Sequence, residues 1–276
     1  MVENKSTKRR TVLKALGTGA TVACTSSIGS AATGETYTVK IWQSSDLYWH
    51  CVDQFGDSSR AINNAKMHIE GAFDRTNNSV NIIINDSYES RVPAPEENAY
   101  TSFKTSPPCD PHVDEISYAN NLEWWKNYHS CKGLAGNSDS LVLLTNTTSV
   151  RGGRANRGGE GHTVVQTGGL LAQADSYEND AKRADDVANG VEGLLHEVGH
   201  TFQMTDLEAK NQHNNENYGV HMTGVSDNHS YGTSITPLGH GAQDSVNECG
   251  DPVGQLEGFE QTWADCTQEY WAESRA

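Results

Sequence analysis

Five consecutive residues, His196-Glu197-Val198-Gly199-His200, carry the side chains with the clearest chemical use in this 276-residue chain. Histidines four apart on a helix lie one turn along nearly the same face, so two imidazoles can reach one metal ion at the ~2.0 Å zinc–nitrogen distance. Glu197 stands beside them, where its carboxylate can take a proton from a metal-activated water without ligating the metal. With 11 His in the chain, random placement of residues gives roughly 0.03 copies of this pattern. The plainer reading is two surface histidines on an ordinary helix.

The spacing works only on a helix, and the flanking residues supply one. Over residues 181–204, Val187, Val191, Leu194, Leu195, Val198 and Phe202 recur at three- and four-residue intervals. That is a broad apolar stripe for packing beneath a sheet. Asp185 and Asp186 near the start suit the positive end of a helix dipole. Upstream, residues 37–42 and 80–84 read as strands and 60–73 as a helix, a β-α-β opening. Pro93, Pro95, Pro107, Pro108 and Pro111 mark 88–115 as an irregular excursion. A helix over 118–128, a buried strand over 141–144, a Gly/Arg-rich loop over 151–161 and a strand over 162–166 follow. Gly250, Pro252 and Gly254 punctuate the chain before a last helix over 257–271. The expected fold is α/β (α+β): a mixed, twisted sheet packed on the helix of His196 and His200, with a C-terminal helix.

Two histidines leave a catalytic zinc one protein ligand short, and Asp206, His213, His221 and Asp227 are the candidates downstream. The segment from His196 to Asp206 resembles the metzincin metallopeptidase motif HExxHxxGxxH/D in its aspartate variant. The resemblance implies a zincin-like fold, Zn2+ held by His196, His200 and Asp206, Glu197 as general base, and a peptide or protein substrate. Gln203 stands where that family has Gly. The resemblance also implies a Met-containing turn beneath the metal, for which Met222 within 218–224 is a candidate, and 234–239 looks like such a turn with Leu238 in place of Met. Residues 224–232 approximate the Gly-Thr-x-Asp-x-x-Tyr-Gly motif of the aspzincin peptidases, with one residue too many and Val225 for Thr. The competing class is a non-catalytic secreted module that holds a structural metal or binds a surface partner.

Other features are weaker. Residues 162–166 are expected as the edge strand that pairs with an extended substrate, as the resemblance implies. Tyr218 and Tyr231 are candidates to stabilise an oxyanion. Arg151-Gly152-Gly153-Arg154 could cradle an anion, but no phosphate-loop pattern follows it, so a loop is expected. Trp124 and Trp125 read as core anchors. Asn77, Asn85, Asn146 and Asn228 sit in Asn-x-Ser/Thr sequons compatible with surface glycosylation.

The N-terminus addresses the chain. Lys8-Arg9-Arg10-Thr11-Val12-Leu13-Lys14 ahead of a short apolar stretch resembles a twin-arginine export signal, so we expect a signal at 1–32 and one secreted domain at 33–276. Cys24, after Thr21-Val22-Ala23, is the alternative, a lipid anchor. The first 32 residues contain five basic residues and one acidic one, so their removal takes the formal charge from −16 to −20. That charge repels a phosphate backbone and argues against nucleic acid as a partner. The acidity resembles that of secreted haloarchaeal proteins. No later stretch is apolar enough for a transmembrane span. Cys51, Cys109, Cys131, Cys249 and Cys266 remain past the signal, and proximity pairs Cys109 with Cys131 and Cys249 with Cys266. Replacing Arg9 and Arg10 by Lys should retain the precursor inside the cell, because the paired guanidinium groups are what the export route reads. Normal secretion of the double variant, followed by immunoblot of medium and cells, would show a signal of another kind.

Overall fold

Alternation in Thr-Tyr-Thr-Val-Lys-Ile-Trp-Gln makes Thr36–Gln43 a strand, β1, with Tyr37, Val39 and Ile41 fully buried on one face and Trp42 packed on the other. Ser44 ends it and caps the next element: its hydroxyl accepts the Leu47 backbone N–H at 3.1 Å, opening helix α1 at Ser45–Phe55. Gly56 closes that helix at φ 68°, a left-handed conformation that costs glycine nothing. Helix α2, Arg60–Phe73, buries Ala61, Ile62, Ala65, Ile69 and Ala72 at helical spacing and leads into β2, Ser79–Asn85. The computed structural model describes residues 34–73, 78–95, 101–110, 112–134, 138–146, 153–155, 161–175, 180–182, 186–202, 225–229, 232–235, 256–260 and 263.

The expected β-α-β opening is present, with β2 parallel to β1 and Val39 opposite Ile82. Strand β5, Ser140–Leu144, lies on the other side of β1 and is buried at every residue. Its alternate side chains feed two cores. Val142 and Leu144 join the cluster of β1, α1 and α2, whereas Leu141 and Leu143 join Trp42, Trp124 and Trp125. A strand covered on both faces reads as a continuous apolar run, which is why Leu-Val-Leu-Leu was legible. Trp124 and Trp125 belong to α3, Asn121–Cys131, where Asn120 caps the first turn by accepting the Glu123 N–H at 3.0 Å. Trp125 donates its indole N–H to the Leu141 carbonyl at 3.0 Å. Both are core anchors, as expected.

The main sheet closes with β6, Gly153–Ala155, and β7, Gly161–Val165, in the order β2-β1-β5-β7-β6. The first four strands run parallel and β6 runs antiparallel to β7. Two expectations change here. The Gly/Arg-rich stretch contains a strand rather than only a loop, and β7 is an interior strand rather than the edge. Strand β7 pairs with β5 on one side and with β6 on the other, and its Val164 and Val165 are fully buried in opposite cores. Glycine content marked 151–161 as a loop, but at Gly153 the missing side chain serves a close approach described below.

Within the excursion at 88–115, Tyr88–Ser90 forms a 3-10 turn, and β3, Phe103–Thr105, pairs antiparallel with β4, Ile116–Tyr118. Tyr118 is therefore in a strand, and α3 starts three residues later than expected. Downstream of β7 come a short helix, α4, at Gly168–Leu171, strand β8 at Asp180–Lys182, and helix α5 at Asp186–Phe202. A second sheet orders as β8-β11-β10-β9, where β9 is Val225–His229, β10 is Gly232–Ile235 and β11 is Leu256–Glu260. The last helix expected from 257 is corrected at its start, because Leu256–Glu260 pairs as a strand with β10 and β8. Leu256 and Phe259 are three residues apart, so no two-residue period marked the segment, and its pairing alone makes it a strand. The export segment, Cys24 and the Cys249–Cys266 pairing lie outside the described residues. Among the described residues, no helix is long and apolar enough to cross a membrane.

Cys109 and Cys131 form a disulfide that ties the excursion to the end of α3 across 22 residues, as proximity indicated. Cys51 is a free thiol, fully buried, and burial raises its pKa above the ordinary thiol value. Replacing Cys109 and Cys131 together by Ser should cost about 3 kcal/mol, the loop-closure value for this separation. Urea denaturation measures it, and an unmoved midpoint would show that the hairpin β3-β4 docks without its staple.

Candidate functional site

Helix α5 presents two faces with different duties. Val191, Leu194, Leu195, Val198 and Phe202 are buried in the first core, and Val187 packs against it, as the stripe predicted. Phe202 anchors the end, its ring 4.7 Å from Tyr37 of β1 and 6.1 Å from Phe73 of α2. Helical periodicity then turns His196, Glu197 and His200 away from that core.

Polar contacts fix the helix along the sheet. The Thr167 hydroxyl donates to the Gly190 carbonyl at 2.9 Å, and the Thr163 hydroxyl of β7 donates to the Glu197 carbonyl at 3.4 Å. Glycines permit the close approach. A Cβ on Gly161 would lie 2.4 Å from Cβ of Thr201, and one on Gly153 would lie 2.7 Å from Cγ of Glu197 and 2.5 Å from the Val164 carbonyl oxygen. The terminal strand β6 is thus laid directly against the side chain of Glu197.

The histidine rings converge. Their Nε2 atoms are 3.0 Å apart, the centroids 4.5 Å apart and the planes perpendicular. Two nitrogens held by one tetrahedral zinc at ~2.0–2.1 Å would stand about 3.3 Å apart, so the pair as built is close to a two-ligand edge. His200 and Glu197 are each 7% exposed, while His196 is half-buried. A metal here would be screened from bulk water on one side and reachable on the other. Glu192, also 7% exposed, lies one turn before His196 on the same helix.

The third ligand is not fixed by these residues. Among the described residues, no group of three or more His, Cys, Asp and Glu could hold a metal. Asp206, His213 and His221 lie outside the described residues, as do Met222, Tyr218 and Tyr231. Asp227 falls within β9, and the proposed Leu238 turn begins inside strand β10 at Ser234 and Ile235. Sequence reading missed Gly153 and Thr163 as parts of the site. Gly153 was visible only as loop composition, and Thr163 only as one of the polar positions of a strand. No protein-family model matches the chain, and no curated protein matches it.

The tight seat yields an expectation. Gly153→Ala forces a methyl between the Val164 carbonyl and Glu197, so it should lower stability by about 1–3 kcal/mol in urea denaturation. A midpoint within error of the parent would mean that strand and helix have room to part.

Proposed function

We propose that the chain is a secreted zinc endopeptidase of zincin-like fold. The observation that carries the reading is the convergence of the His196 and His200 Nε2 atoms on one turn of a buried helix, with Glu197 between them and against a terminal strand. The mixed sheet packed on that helix is compatible with such a fold, and the Cys109–Cys131 disulfide suits an oxidising compartment.

In this reading His196 and His200 hold zinc through Nε2, with Asp206 as the third ligand implied by the metzincin resemblance. Zinc, when bound, polarises the scissile carbonyl and lowers the pKa of a water. Glu197 then takes a proton from the attacking water and passes it to the leaving amine as the peptide bond breaks. Its partial burial favours that work, since a carboxylate shielded from solvent keeps its proton-transfer geometry, and Gly153 leaves it the space. The terminal strand β6 offers an extended peptide a main-chain template beside this carboxylate.

Casein digestion with and without a chelator, on protein whose zinc content is measured, tests the reading. Glu197→Gln should keep the metal and lose hydrolysis by about 10²–10⁴-fold, since an amide cannot act as base. His200→Ala should lose the metal. Asp206→Ala should lose it equally at limiting zinc, with His213→Ala, His221→Ala and Asp227→Ala as comparisons. Full activity of Glu197→Gln sinks the mechanism. Zinc bound without hydrolysis in the parent chain would favour the structural-metal module instead.

A further inference from the structure

The Arg-rich segment that follows β5 supplies strand β6, whose Gly153 lies against the side chain of Glu197, and its arginines have no part in the chemistry above. Arg151, Arg154 and Arg157 place three of the chain's 20 basic residues close together, in a chain of formal charge −16. Arg154 is the central residue of β6 and is exposed. Register fixes the face it takes. Arg154 pairs with Val164, which packs in the second core, whereas Gly153 approaches Glu197 on the α5 side and Ala155 pairs with Thr163, whose hydroxyl reaches α5. Successive side chains alternate across a strand, so Arg154 stands on the far face of the sheet, one residue from the close approach to Glu197.

We infer that Arg154 is a specificity-determining residue that selects an acidic side chain in an extended peptide aligned with β6. This rests on the peptidase reading. Side chains directly opposite on paired strands lie about 5 Å apart at Cβ and interact, with opposite charges favoured and like charges disfavoured. The peptide residue opposite Arg154 sends its side chain to the same far face, while its two neighbours face Glu197. A glutamate there meets a guanidinium within reach of a bidentate pair. An exposed pair of this kind changes affinity by a modest factor, about threefold to fivefold, and is weakened by salt.

The test uses the full mature chain loaded with zinc and a set of quenched fluorescent peptides identical except for Glu, Gln or Lys at one scanned position. Cleavage is measured on the parent, Arg154→Gln and Arg154→Glu. Binding of the same peptides, by fluorescence anisotropy, is measured on Glu197→Gln alone and combined with each Arg154 substitution. At one position the parent should prefer Glu over Gln by about threefold to fivefold at low salt, and the preference should shrink as salt rises. Arg154→Gln should abolish it, and Arg154→Glu should turn it toward Lys. Cleavage with a Glu/Gln ratio unmoved by either substitution overturns the inference and leaves the peptidase reading standing. Absent cleavage, with binding preferences that follow the Arg154 charge, overturns the peptidase reading and leaves the inference. Binding and cleavage both indifferent to charge at every position overturn the inference.

Discussion

Everything at the candidate site depends on how closely one helix can lie against two strands. The side chains of His196, Glu197 and His200 hold their relative positions through the helix alone, but their relation to anything a substrate could touch is set by the seat of α5 on β7 and β6. Glycines at 153 and 161 remove the methyl groups that would keep these backbones apart. Two threonine hydroxyls then bond to helix carbonyls, which gives their buried oxygens and hydrogens partners in a place water does not reach. The apolar stripe supplies the attraction, and the glycines and threonines decide the distance.

The two cores share this load unequally. The first contains the stripe of α5 together with β1, α1 and α2, so the turn that carries His196 and His200 is braced through Phe202, Tyr37 and Phe73 to the opening strand of the domain. The second, around Trp42 and Trp125, covers the opposite face of the central strand. Strand β5 is the hinge of the arrangement, since it sends alternate residues to each. A cavity made at Val142 or Leu144 would therefore be felt at the helix, and one at Leu141 or Leu143 would be felt through the indole of Trp125, which bonds the Leu141 carbonyl.

Strand β6 combines structure and proposed use. One face of it is glycine and alanine, which suits contact with the helix, and the other carries an arginine. This division follows from the two-residue period of a strand, and it lets three residues accommodate the carboxylate of Glu197 on one side while presenting a cation on the other. In a chain of formal charge −16, Arg154 is a positive group opposite in sign to the net charge.

Local patterns determined a good deal. The period of 3.6 in Val191, Leu194, Leu195, Val198 and Phe202 identified the helix and its buried face, and the four-residue spacing of His196 and His200 implied that their rings would meet. The β-α-β opening, the buried run at 141–144 and the proximity of Cys109 to Cys131 were equally legible, because each depends on residues close in sequence or on simple alternation. What only the tertiary structure decided was pairing between distant segments. Nothing local distinguishes an interior strand from an edge when its partner is an Arg/Gly-rich stretch that resembles a loop, so the exchange of roles between β6 and β7 could not be read. The strand at Leu256–Glu260 was likewise settled by its partners β8 and β10. The part of Gly153 in seating Glu197 was hidden for the same reason: a glycine's missing side chain acquires meaning only from what folding brings against it.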